Sequence, residues 1–217
     1  MWGDGNIHAE RRWQSAVAQL GQCPGVVVDL GGRAPFEGYL KREHLADVTT
    51  YVCLDISPVA RPHLVGDAMR IPLADCSVSG LLCNAMLEHV PQPHRAVEEI
   101  YRVLKPSAPL LVSVPFIYPY HDRADYFRFS DDALRYLFCQ FADVEIIPLG
   151  DYVFAATAFI TGFSARATRW LVPIMSIMRS VLRAIAKRQS RSSHGKRNLL
   201  RSLERTAVGW YVYARKP

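Results

Sequence analysis

Long apolar runs are missing from this sequence. The two longest, Val153–Phe163 and Trp170–Met178, are far shorter than the ~20 residues a helix needs to cross a bilayer, so no transmembrane segment is expected. The opening stretch, MWGDGNIHAERRW, has no apolar core of signal-peptide length, and a cytoplasmic chain is expected. Cysteine pairing is missing too. The five cysteines are an odd number without a C-x-x-C spacing, and Cys53 and Cys83 sit inside apolar runs. They read as small buried hydrophobes in a reducing compartment. Charged residues make up only 21% and hydrophobic residues 50%, which excludes disordered and collagen-like chains. A length of 217 residues predicts one domain with its own core.

Acids are nearly absent from the last quarter. Residues 161–217 hold 13 Lys and Arg against Glu204 alone, a net +12, whereas residues 1–160 carry a net −6. The two parts are expected to meet different partners. Within WLVPIMSIMRSVLRAIAK, Arg179, Arg183 and Lys187 recur at i, i+4, i+8 beside broad apolar faces. Such a helix suits the interface of an anionic membrane, reached through residues 165–197. The competing expectation is that its apolar side packs on the domain or in a homodimer. Nucleic acid is disfavoured, because residues 187–205 contain no aromatic side chain on which bases could stack.

The rest of the chain alternates strand and helix patterns. Ala9, Trp13, Val17 and Leu20 share a helical face over residues 8–20, with Gly21 as a stop. Val26–Leu30, Tyr51–Ile56, Leu64–Val65, Ser79–Asn84, Pro109–Pro115 and Val144–Leu149 read as strands, several without polar alternation, as in a parallel sheet buried on both faces. Helices are expected from Phe36 through Leu40 onward, over Pro93–Leu104 and over Asp131–Gln140. The aromatic run from Trp210 to Arg215 is a closing strand. About 60 residues before it exceed any hairpin loop and form an insert.

Acids and glycines gather where strands should end, which is where open α/β sheets bind ligands. Gly31 and Gly32 follow the first strand and permit close backbone approach. Asp55 is placed to accept from a ribose diol, and Asp67 from an exocyclic amine such as that of adenine. A dinucleotide is a poorer match, since Arg-Ala-Pro-Phe at 33–36 supplies no third glycine.

VVVDLGG, YVCLDIS, VGDAMRIPLAD, LLCNAMLEHV and EEIYRVLKPSAPLLVSVPF, in this order, resemble the motifs of class I S-adenosylmethionine-dependent methyltransferases of the type 11 group, over about residues 24–150. The resemblance implies a doubly wound α/β fold: a mostly parallel seven-stranded, Rossmann-like sheet with its last strand antiparallel. It implies one domain over 1–217, with residues 151–208 a helical basic insert, and S-adenosyl-L-methionine as cofactor. The implied cofactor residues are Asp29, Gly31 and Gly32 at the first turn; Asp55 at the ribose; Ile56 over the adenine face; Asp67, Ala68 and Met69 at the adenine edge; Asn84 and Met86 near the methionine part. Arg33 stands where the family has its second glycine. That departure bears on cofactor affinity more than on fold.

Phe116–Phe129 crowds His121, Asp122, Asp125, Arg123, Arg128 and several aromatics into one segment, a composition suited to a sugar or other polar ring. It resembles a stretch of methyltransferases from bacterial cell-surface glycan clusters, with a shorter His-to-Asp interval. Methyl transfer to an alcohol benefits from a base. His121 is the candidate, Asp125 its orienter or the base itself, and His89 the rival; the competing reading is that His121 and Asp125 only cap the loop and pair with Arg123 or Arg128. No metal is expected. The implied activity is O-methylation of a small-molecule or lipid-linked glycan by a cytoplasmic enzyme, peripheral at the inner membrane face. The alternatives are a small-molecule or RNA methyltransferase and a cofactor-binding pseudoenzyme.

Overall fold

The computed structural model describes residues 7–37, 40–45, 48–160, 170–171, 173–178, 180–182, 184 and 206–217. Seven strands form one sheet: β1 Gly25–Leu30, β2 Val48–Asp55, β3 Leu64–Val65, β4 Gly80–Asn84, β5 Pro109–Pro115, β6 Ala142–Leu149 and β7 Gly209–Arg215. Their spatial order is β3-β2-β1-β4-β5-β7-β6. β1 to β5 pair in parallel, and β7 runs antiparallel to both β5 and β6. The direction of winding reverses between β1 and β4, so their carboxyl ends open a crevice.

Alternation along the strands divides the apolar side chains between two cores. Val28, Leu30, Leu81, Cys83, Leu110, Val112, Trp210 and Val212 face one core, completed by α2 (Pro93–Val103) and α3 (Asp131–Leu137). Val27, Leu82, Leu111, Tyr211 and Tyr213 face the other, completed by α1 (Ile7–Leu20) and α4 (Tyr152–Ile160). Trp13 of α1 is fully buried and stacks on Tyr211 at 4.2 Å. Because both faces are covered, these strands carry runs of Val and Leu with no polar alternation. In α2, Pro93 fits the first turn, where an amide hydrogen has no partner to lose. Ala96, Val97, Ile100 and Val103 bury its inner stripe.

Three expectations change. No α-helix begins at Phe36: Phe36 has φ 65°, stacks on Tyr51 at 4.7 Å and lies under the Arg42 guanidinium. Among the described residues, a 3-10 turn, Arg42–His44, follows. α3 stops at Leu137, because Phe138 and Phe141 turn inward to the core. Cys53 and Cys83 are buried as expected, but Cys76 and Cys139 are exposed. Within the insert, α4 and the described residues among 170–184 are helical. Arg179, Arg183, Lys187 and the remaining basic residues up to 205 lie outside the described residues.

Candidate active site

The tips of β1 and β2 are tied together by backbone. The Gly31 amide donates to the Leu54 carbonyl at 2.7 Å. Gly31 has φ +77°, and a Cβ there would lie 2.4 Å from Met86 Cγ; only glycine permits that turn and that approach. A Cβ at Gly32 would lie 2.6 Å from the carboxyl carbon of Asp29. Asp29 is 2% exposed and accepts from the Tyr51 hydroxyl at 3.0 Å. Burial pushes its carboxyl up to about 6, with the neighbouring Asp55 charge adding to the rise.

Asp55 is oriented by two amides, Arg33 N–H to Oδ2 at 3.0 Å and Ser57 N–H to Oδ1 at 2.8 Å. Each oxygen keeps a lone pair, which is the geometry a vicinal diol requires. Arg33 therefore contributes its amide here. It adopts φ 58° with an exposed side chain, reproducing the left-handed backbone of a glycine at a cost of about 1–2 kcal/mol. Ile56, beside this carboxylate, is 70% exposed. One oxygen of Asp67 accepts from the Met69 amide at 2.8 Å, leaving the other available; Ala68 between them is buried. Asn84 accepts from Ser113 Oγ, and Ser113 also holds the Ala85 amide at the end of β4.

These residues fit S-adenosylmethionine by the chemistry of the set. Bare glycine backbone leaves room for a ligand, and three carboxylates, Asp29, Asp55 and Asp67, match a sulfonium, an ammonium, a diol and an amine. The same carboxylates would repel the pyrophosphate of a dinucleotide. A cavity of about 720 Å³ lies farther out and meets this set only at Asp67; Glu99 and Arg102 in its wall bond to each other.

The acceptor side is built from side chains. Arg128 makes a bidentate pair with Asp125 and also donates to the carbonyls of Tyr118, Pro119 and Phe127, stapling the segment into one shape. The fully buried Asp125 carboxylate is held down at about 2, chiefly by Arg128. So acidic a carboxyl is a weak base, which leaves Asp125 as an orienter. Its Oδ2 lies 3.3 Å from His121 Nδ1, which is also 3.3 Å from the Pro119 carbonyl. Arg123 is exposed and takes no part in the pairing.

His89 comes to the same place. Its ring centroid is 5.1 Å from that of His121, and its Nδ1 is 3.3 Å from the Ala124 carbonyl. Glu88, in the 3-10 turn Leu87–His89, is fully buried, and neither carboxylate oxygen has a hydrogen-bond partner. Burial pushes it up to about 8. Its carbonyl accepts from the Tyr126 and Phe127 amides, locking this turn to the acceptor segment. Neither Glu88 nor Arg128 stands among the expected site residues. The sequence signals for Glu88 are an acid enclosed by apolar neighbours in Met-Leu-Glu-His-Val and its pairing with His89, which the resembled family often has at this place.

Residues 33–112 match the family described as Methyltransferase domain. The match begins just after the Asp29–Gly32 turn. No curated protein matches the chain. Among solved structures, an SAM-dependent methyltransferase from Archaeoglobus fulgidus superposes with a TM-score of 0.59 at 14% identity, covering 99% of this chain and 95% of that one. Haemonchus contortus phosphoethanolamine N-methyltransferase 2, complexed with phosphomonomethylethanolamine and S-adenosylhomocysteine, gives 0.57 at 14% identity; this chain is fully covered but spans 55% of that protein. The [4+2]-cyclase SpnF gives 0.57 at 18% identity, covering 99% and 84%. Likeness at these identities concerns the fold. The matched segment is a methyltransferase domain, and the site chemistry fits an enzyme that takes S-adenosylmethionine as its cofactor.

Proposed function

We propose that the enzyme methylates a hydroxyl of a glycan or lipid-linked sugar. The observation that carries this reading is His121, whose Nδ1 is held between Asp125 and the Pro119 carbonyl. That hold assigns the ring hydrogen to Nδ1 and leaves Nε2 as a lone pair to accept a hydroxyl proton. Exposed Tyr120 and Tyr126 on the same segment suit stacking on a sugar ring. S-adenosylmethionine supplies an electrophilic methyl group when bound. Asp55 would hold its ribose, Ile56 cover the adenine, and Asp67, Ala68 and Met69 meet the adenine edge. Asp29, Gly31, Gly32, Asn84 and Met86 would surround the methionine part. The chain's remaining task is to bring the hydroxyl oxygen within ~3–3.5 Å of that methyl, in line with the bond that breaks.

Release of S-adenosylhomocysteine, measured with sugars bearing free or blocked hydroxyls and with amines, tests the reading. His121→Ala should lower turnover on hydroxyl acceptors and leave cofactor affinity unchanged. Amine acceptors preferred by both proteins would overturn it.

The membrane association that a lipid-linked acceptor implies is supported by the insert. Leu171, Met175 and Leu182 pack toward the second core, while Trp170, Ile174, Ile177, Met178 and Val181 are exposed, as are Phe159 and Ile160 of α4. Together with the net +12 of residues 161–217, this face suits an anionic bilayer surface. Co-sedimentation with anionic vesicles should be strong at low salt and weaken as salt rises. Absence from those vesicles at low salt would remove the lipid surface from the reading.

A further inference from the structure

We propose that Glu88, His89 and His121 form a binding site for a zinc-type divalent metal ion at the acceptor end of the cleft. The ligand atoms these residues offer all lie within 4.8 Å of one another. A four-coordinate zinc with ~2.0–2.2 Å bonds spaces its ligands a little over 3 Å apart, so the three groups need to close by about an ångström. A small tilt of the His121 ring about its Asp125 contact would supply that shift.

Both imidazoles are prepared for the task. His121 Nδ1 faces Asp125 and the Pro119 carbonyl, and His89 Nδ1 faces the Ala124 carbonyl. Each Nδ1 hydrogen is thus committed to an oxygen, and each Nε2 keeps its lone pair. His89 Nε2 already lies 3.9 Å from Glu88 Oε1. Carbonyl or carboxylate partners behind ligating histidines are what fixes their tautomer and orientation in metal sites. Glu88 is the independent observation. A fully buried carboxyl with no hydrogen-bond partner on either oxygen stays neutral unless a cation completes it, and a metal ion would take the place of its proton. Arg128 makes no hydrogen bond to it, since Asp125 and three carbonyls occupy its donors.

Two histidines and one glutamate leave at least one position open, as catalytic zinc sites do. This deepens the proposed function and rests on it for the role alone: with the metal bound, an acceptor hydroxyl in the open position would be more acidic and would pass its proton to solvent, His121 acting as ligand in that form and as base in the metal-free form.

Full-length protein stripped with chelator is titrated with Zn²⁺ by calorimetry and with Co²⁺ by visible absorption, and S-adenosylhomocysteine binding is measured on the same samples. The expected result is one Zn²⁺ per chain with micromolar or tighter affinity. His89→Ala and His121→Ala should abolish it, and Asp125→Asn should weaken it about 10- to 100-fold, while all three variants bind S-adenosylhomocysteine like the parent. No Zn²⁺ binding by protein that still binds S-adenosylhomocysteine would overturn the metal site and leave the methyltransferase reading standing. Zn²⁺ binding undiminished in His121→Ala would overturn it as well. Loss of S-adenosylhomocysteine binding by the parent protein, with Zn²⁺ still bound through these residues, would count against the methyltransferase reading and not against the metal site.

Discussion

The two halves of the cleft are held by different means. On one half, carboxylates at the strand tips, proposed for the cofactor, are positioned by amides: Asp55 by Arg33 and Ser57, Asp67 by Met69. On the acceptor half, one guanidinium, Arg128, holds four neighbours of a long segment through side-chain bonds. A backbone-built half is rigid because the sheet is rigid. A half built from side chains on a connecting segment can be re-specified without disturbing the sheet, which suits the part that must fit a particular acceptor.

Gly31→Ala should have the largest effect. It places a Cβ against Met86 at a left-handed φ and should cost about 2–4 kcal/mol, read as a shift of the urea midpoint, with cofactor affinity lost in parallel. Arg128→Met comes next. It strands the buried Asp125 carboxylate and should cost roughly 2–3 kcal/mol, less than a fully buried pair because Arg128 is 25% exposed. Turnover should fall while cofactor affinity is kept. Cofactor affinity falling in step with turnover would break the division into two halves.

Asp55→Ala should weaken S-adenosylhomocysteine by about 10- to 100-fold in calorimetry with little change in stability. An unchanged dissociation constant would remove Asp55 from the site. The smallest effect is expected for Asp29→Asn. The folded Asp29 carboxyl titrates at about 6, above its ordinary 3.8, so the native state holds the proton more tightly than the unfolded chain. Its ionised form therefore weighs against folding above pH 6, and that penalty is relieved as pH falls from about 6 to about 4. The Asn variant escapes the penalty, so it should be more stable than the parent at pH 7.5 by ~1–2 kcal/mol. Near pH 4 the gap should close. A gap independent of pH, in urea melts at the two values, would mean that Asp29 does not titrate this way.

The strand-tip half of the cleft was legible in the sequence because each of its signals is local. An apolar run that ends in an acid or in Gly-Gly places those residues at a strand tip without knowledge of anything remote, and Asp29, Gly31 and Asp55 stand at such tips. The strands were legible for the same reason. The failed helix at Phe36 was not, because the ring of Tyr51 and the guanidinium of Arg42 override local helical spacing.

The sequence by itself determined the alternation of strand and helix, the closing strand and the acids at the strand tips, since periodicity and chain order are properties of one dimension. Only the tertiary structure decided the rest. Asp125 and Arg128 are paired there while Arg123 is left in solvent, Glu88 is sealed without a partner, and His89 meets His121 from 32 positions away. Burial and partner choice depend on which segments the sheet brings side by side. A buried charge acquires its chemistry only from those neighbours.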